Sequence, residues 1–383
     1  MAAELARTRA HRIHHSTEPV SYAQSDAVIP DDELLVLRGF QRASSAVNTF
    51  RGYATDWTQF QDWCQLKRVD PLPADPKQVA RYIANAAALV DEDGEFEYAP
   101  GTLARWVASI NKAHFLNGFP KPGEHAEVAT TLSGIRRLRA EPPRRKTPLL
   151  LDDLRRTVDA IPKNVYPQSI IGHRDSALLI MGFVGAFRSD ELANLQLRDV
   201  VFHDQDGLYV RMRKSKSDQM ARGNTKALPR GGSTNSCAPC AYVRWLKVMA
   251  AQREGRAAIL DTILTSDWDQ HVCERGFLPD MKQFARTAPV FRPVMKNGSI
   301  KLTPITSQVV NKMLQRRVAA IGLDPALYGS HSLRAGFVTQ ALRDHATVHQ
   351  IMGQTLHRNP ATVEIYAREN NPLADNAVNA IRL

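Results

Sequence analysis

Between residues 42 and 140 the apolar positions recur at the spacing of a helix. Phe50, Tyr53, Trp57, Phe60 and Cys64 step by three and four, one stripe on a helical face. Asp75-Pro76 joins a capping residue to a proline suited to the first turn, and so predicts a second helix with the stripe Val79, Tyr82, Ile83, Ala86 and Val90. A third carries Leu103, Trp106, Val107 and Ile110, and a fourth Val128, Leu132, Ile135 and Leu138. Nothing here alternates as a strand does. The stretch 42–140 is predicted to be a small all-helical domain with its aromatic stripes in the core. Residues 1–41 show no sustained period and are expected to form a flexible tail, with His11, His14 and His15 part of a solvated basic arm.

A break follows. IRRLRAEPPRRKTP holds two adjacent prolines and then a third, and residues 141–148 are expected to be a linker. Arg136, Arg137, Arg139, Arg144, Arg145 and Lys146 put six cations in eleven residues, against the one acid Glu141. Such a run is either a solvated linker or a strap lying along a phosphate backbone between two domains.

The pattern changes over 149–383. Leu151 to Ile161 has a helical period. SALLIMGFVGAF (176–187) is almost wholly apolar and too long for a strand, so it predicts a buried helix ending at Arg188. LQLRDVVFH and GLYVRMRK alternate on either side of Asp204-Gln205-Asp206-Gly207, a β-hairpin signature, and a third strand fits Asn224 to Leu228. Helices are then expected at 238–253, 306–321, 332–344, 347–354, 360–368 and 373–382. Thr347 and Gln350 have capping-box spacing, and Asn359-Pro360 pairs a cap with proline at the first position. Residues 255–300 offer no assignable feature. The fold class expected is mainly α, a helical N-terminal domain followed by a mostly helical domain with one small antiparallel sheet.

Composition narrows the function. The 383 residues carry 50 Lys and Arg against 39 Asp and Glu, a net charge of +11, which favours a polyanionic partner such as nucleic acid. No apolar run approaches a membrane span, and the N-terminus lacks the apolar region of a signal peptide. Four cysteines are too few for a disulfide scaffold, so a reducing cytoplasm is expected. There is no P-loop, no GxGxxG after a strand, no HExxH and no EF-hand loop. Cys237-Ala-Pro-Cys240 is a CxxC, but a structural zinc site takes four ligands and Cys64 and Cys273 have no CxxC partner. Ordinary thiols at a helix start, and no metal, are the expectation.

Candidate chemistry lies in the second region. Arg188 ends the buried helix, where a held guanidinium can aim its fork at an oxyanion. Lys216 sits on the turn after the second hairpin strand. His331 and Arg334, three apart at a helix start, share a face. His357 precedes Tyr366, which lies on the short capped helix. Each residue alone is unremarkable; the ordered set is specific.

That set resembles the tyrosine recombinase (phage-integrase) family. The matching segments are GAFRSDELANL (185–195), RKSKSD (213–218), GSHSLRAGFVTQAL (329–342) and LHRNPATVEIYAR (356–368). The resemblance covers 149–383 as the catalytic domain, and 42–140 is similar to the family's core-binding domain, the plan being that of the simpler Cre-like and Xer-like members. It implies a site-specific recombinase acting on double-stranded DNA with paired inverted repeats, as a homotetramer, with no cofactor. Integration, excision and dimer resolution stay open within it, as do a related topoisomerase or telomere resolvase, or an inactive DNA-binding regulator.

The chemistry required agrees with the roles the resemblance implies. Strand cleavage by phosphoryl transfer needs a nucleophile, charge on the non-bridging oxygens, and a proton for the leaving 5′ oxygen. Tyr366 would attack to give a 3′-phosphotyrosyl intermediate, and with a free pKa of about 10 it needs a base, His331. Arg188, Arg334 and His357 would hold the phosphate, Lys216 would be the acid, and Glu191 would orient. After Asn370-Asn371-Pro372, Leu373, Ala377, Val378 and Ile381 form an apolar stripe on a final helix, either folded back on its own domain or docked on a neighbouring subunit.

Overall fold

The computed structural model describes residues 47–139, 145–203, 205–213, 223–274 and 277–370. The N-terminal tail, Arg144, Lys216 and the final apolar stripe lie outside these. The chain divides into two compact units, Met1–Pro143 and Arg144–Leu383.

The first unit holds α1 (Val47–Lys67), α2 (Pro76–Ala87), α3 (Pro100–Leu116) and α4 (Ala126–Leu138). The Asp75 side chain accepts from the Lys77 amide at 2.8 Å and Pro76 takes the first position of α2, as its sequence predicts. Phe60, Cys64, Val79, Tyr82, Ile83, Leu103, Trp106, Val107 and Ile110 form one core with Val128 and Ile135. The aromatic stripes are therefore packing: Phe60 and Tyr82 lie 5.1 Å apart and Tyr82 stacks on Trp106 at 5.4 Å. The stripes overreach at their ends. Phe50, Val90 and Leu138 are exposed: Phe50 stands in the first turn of α1, α2 stops at Ala87 before Val90, and Leu138 ends α4.

The second unit holds α5 (Leu151–Asp159), α6 (Gln168–Val184), α7 (Ser189–Ala193), a sheet, α8 (Ala238–Glu254), α9 (Arg256–Leu264), α10 (Ser307–Ala319), α11 (His331–Arg343), α12 (Val348–Thr355) and α13 (Pro360–Asn370). The sheet is antiparallel in the order β1 (Val200–His203), β2 (Gly207–Met212) and β3 (Asn224–Pro229), with Val200 opposite Val210 and Leu208 opposite Leu228. Residues 197–199 turn as a short 3-10 segment instead of extending β1. Gly207 has φ +119°, and a Cβ there would strike the Leu228 carbonyl, so the turn into β2 requires glycine.

The apolar run forms a buried helix, α6, but it begins earlier, at Gln168, and ends at Val184, not Arg188, because the chain turns at Gly185 and Ala186. It packs along α8 and against α11. One buried acid fastens it. Asp175 receives Arg174 at 2.7 Å, Arg316 at 2.8 Å and Arg317 at 2.7 Å, tying α6 to α10. Helix α9 is an addition to the sequence reading: its apolar residues Ile259 and Ile263 are buried against the main core, but the helix has too few of them to announce a stripe. Gly336 lets α11 lie directly on the backbone of Leu149, where a Cβ would collide with the Leu149 carbonyl. The Leu149 amide in turn donates to Ser332 at 3.0 Å. Among the described residues no helix is long and apolar enough to cross a membrane.

Candidate active site

The turn after α6 sets the first side chain. Gly185 caps the helix, Ala186 takes φ +44°, and the chain reverses into Arg188. A left-handed alanine costs on the order of 1–3 kcal/mol, so the surroundings must hold it. They do so through its carbonyl, which accepts from Arg334 Nη1 at 2.7 Å and from Lys226 Nζ at 3.2 Å. Lys226 also donates to the Gly185 carbonyl at 2.7 Å. Glu191, one turn into α7, accepts from both the amide of Arg188 at 3.0 Å and its guanidinium at 2.6 Å. Arg188 is thus fixed at backbone and side chain by one carboxylate.

Arg334 lies on the buried face of α11. Its Nη2 donates to the Thr355 carbonyl at 2.7 Å, and its Nε finds no partner among the described residues. Each terminal nitrogen keeps a second N–H for an anion. Burial, then the Arg188 charge, lowers its pKa to about 10. His331, at the start of the same helix, places Nε2 2.8 Å from the Tyr366 hydroxyl. Tyr366 rests on the patch formed by Val338, Ile351 and Val363. Partial burial first, then the charges of Arg334, Arg188 and Arg145, hold His331 below the ordinary histidine value.

His357 follows Leu356, whose left-handed conformation (φ +58°) ends α12. Its Nδ1 lies 3.0 Å from Thr355 Oγ1, and that hydroxyl donates to Ile351 at 2.8 Å. The ring therefore donates through Nδ1 and presents Nε2 as an acceptor. Burial, then Arg334, Arg188, Lys226 and His331, pushes its pKa down to about 3. Gln354, on the preceding turn, joins the two halves of the site by donating to Val184 at 2.8 Å and to Ala227 at 2.9 Å.

The structure brings Arg188, Glu191, His331, Arg334, His357 and Tyr366 together. It adds Lys226, fully buried on β3, 3.8 Å from Glu191 and pushed down to about 7 by burial. The signal was in the alternation: Lys226 has the same parity as Leu228, the inward face of the strand. Among the basic-run residues Arg136 and Arg137 are exposed at the end of α4. Arg139 instead stacks 3.6 Å from the Phe96 ring centre and donates to Ala87 at 3.0 Å. Arg145 is exposed near His331, and Lys146, also exposed, donates to the Ala326 carbonyl.

Several fixed cations stand around one tyrosine and two histidines, His331 and His357, on a mainly helical fold with a three-stranded sheet, an arrangement suited to holding an anion beside the tyrosine hydroxyl. No protein-family model matches the sequence. The "Integrase/recombinase xerD homolog" of Selenomonas ruminantium is 32% identical over 359 residues, 92% of this chain and 92% of that protein. The chain belongs to this integrase/recombinase family, the tyrosine recombinases. Among solved structures, the Tn1549 transposon integrase in complex with transposon right end DNA is 14% identical, with a TM-score of 0.50 over 87% of this chain and 93% of that one, and shares the fold. XerH site-specific recombinase bound to palindromic difH substrate gives 13% identity and a TM-score of 0.49, over 79% and 71%.

Proposed function

We infer that the protein is a site-specific DNA recombinase that cleaves and rejoins strands through a 3′-phosphotyrosyl intermediate. The observation that carries this reading is the 2.8 Å contact between His331 Nε2 and Tyr366 Oη, beside Arg188 and Arg334. The Tyr366 oxygen attacks the phosphorus while its proton passes to His331, and the bond to the 5′ oxygen breaks. Arg188 and Arg334 hold the non-bridging oxygens, and removing one such donor costs about 3–4 kcal/mol of transition-state stabilisation. His357 adds a contact to the same phosphate. Lys216 protonates the leaving 5′ oxygen. Lys226 is not suited to that task, since Nζ is buried and engaged by two carbonyls; it positions the Ala186 turn.

The phosphotyrosyl bond keeps the energy of the broken ester, so rejoining needs no nucleotide cofactor. The substrate is double-stranded DNA with paired inverted repeats, and the exposed cations at Arg136, Arg137 and Arg145, with Arg144 and Lys146, supply phosphate contacts. Exchange between two duplexes cuts four strands, which calls for a homotetramer on DNA. The cytoplasm, where DNA and free thiols coexist, is the place of reaction. The test is a nicked suicide substrate carrying the inverted repeats that flank the gene: covalent, denaturation-resistant protein–DNA complex is expected. No complex would point to an inactive DNA-binding regulator. Relaxation of supercoiled DNA lacking any repeat would point to a topoisomerase.

A further inference from the structure

The irregular segment after α9 returns to the N-terminus of α8 and brings two side chains to the CxxC. Cys237 caps α8 and Cys240 lies in its first turn; His271 and Cys273 come from the returning segment. Cys237 Sγ, Cys240 Sγ, Cys273 Sγ and one ring nitrogen of His271 all lie within 4.8 Å of one another. His271 Nδ1 is 3.3 Å from Cys240 Sγ and 3.7 Å from Cys273 Sγ. Cys273 belongs to no second CxxC, yet the fold brings it and His271 to the first one. Separation along the chain hid the set, because its two halves, CxxC and HxC, stand on either side of the rest of α8 and the whole of α9.

We propose that Cys237, Cys240, His271 and Cys273 bind one structural zinc ion. Zn–S bonds of about 2.3 Å and a Zn–N bond of about 2.0–2.1 Å in a tetrahedron put neighbouring ligand atoms about 3.6–3.8 Å apart, close to the spacing found. Four protein ligands close the coordination sphere, so the ion holds structure and takes no part in strand cleavage. A disulfide between Cys237 and Cys240 would use only two of the four groups and leave Cys273 and His271 without a purpose; all the cysteines are free.

The surroundings are those of a thiolate site. The three thiols are buried among Val243 and Val272, and the Val272 amide donates to Cys240 Sγ at 3.3 Å. Three thiolates and Zn²⁺ leave one net negative charge. Arg230 donates to the Cys273 carbonyl at 3.1 Å, and Arg244 donates to Asp267 and Gln270 at 2.8 Å each, so two guanidiniums flank the cluster and shape the segment. The ion would fasten to α8 a segment with little regular structure of its own; α8 in turn packs on α6, which leads through the Ala186 turn to Arg188.

The test is metal analysis of the full-length protein, purified with reductant and dialysed against metal-free buffer. About one zinc per chain is expected, unchanged in Cys64→Ser and reduced at least about tenfold in Cys273→Ser and His271→Ala. Because those variants could lose their fold, the wild-type protein is also stripped with chelator and titrated with Co²⁺. A thiolate-to-cobalt charge-transfer band saturating at one equivalent, and abolished by zinc, supports the site. Wild-type protein that is folded but metal-free and gives no cobalt band overturns it. So does iron in place of zinc, or a Cys237–Cys240 disulfide found by alkylation without reduction.

Discussion

The hydroxyl of Tyr366 and Nε2 of His331 stand 2.8 Å apart, joined across two helices that start at Pro360 and His331. A neutral imidazole there can accept the phenolic proton, and burial first, then the charges of Arg334, Arg188 and Arg145, favour that neutral form.

Tyr366→Phe removes the attacking oxygen and little volume. It is expected to bind target DNA as the wild type does and to form no covalent complex on the suicide substrate. A denaturation-resistant band from the Phe variant would rule out Tyr366 as nucleophile.

His331→Gln is expected to slow cleavage by about 10²–10⁴-fold, the usual contribution of a positioned base. At sub-saturating DNA the pH profile reports the free enzyme. Since the pKa is lowered, the neutral form persists as pH falls, and the acid limb of the rate should lie below pH 6.5. An acid limb above that value contradicts the assignment.

His357 is neutral at pH 7 in the free protein and presents a lone pair toward the site. A bound phosphate supplies the negative charge that raises its pKa from about 3, so DNA binding should take up a proton that His357→Asn does not. Calorimetry in buffers of different ionisation enthalpy measures this; equal proton uptake by both proteins would show that the ring stays neutral.

Lys216→Ala should cleave a normal phosphodiester far more slowly but recover on a 5′-bridging phosphorothiolate, whose leaving thiolate needs no proton. Lack of rescue would assign Lys216 to binding, with Lys214 the next residue to test. If the apolar stripe from Leu373 to Ile381 docks on a neighbouring subunit, truncation after Asn371 should leave binding to one half-site nearly unchanged, weaken cooperative filling of the second and abolish recombination; normal assembly and recombination, or an unfolded protein, would rule out that docking.

Asp175→Ala leaves Arg174, Arg316 and Arg317 without their shared anion. Breaking such a buried group is expected to cost about 3–5 kcal/mol, read as a lowered urea midpoint.

Helix positions were legible where caps and stripes coincide, as at Asp75-Pro76 and at Thr347 with Gln350. The convergence of the candidate residues Arg188, His331, Arg334, His357 and Tyr366 was legible through the family resemblance, not through periodicity. Lys226 escaped because a lysine on a strand reads as solvent-facing until its parity is compared with Leu228. His271 and Cys273 escaped because ligands joined through space leave no local pattern. The conformation of Ala186 had no signal at all, since a left-handed position normally declares itself by glycine or asparagine.

One peptide oxygen, that of Ala186, serves both Arg334 and Lys226. These two residues are far apart in sequence, yet their variants should be epistatic. Once either is lost the turn relaxes, and the second substitution then costs less than it would alone, by a coupling of about 0.5–3 kcal/mol in a double-mutant cycle. A mutational survey of this recombinase would therefore find the two sites coupled, with loss of Lys226 softening, but not cancelling, the further loss of Arg334.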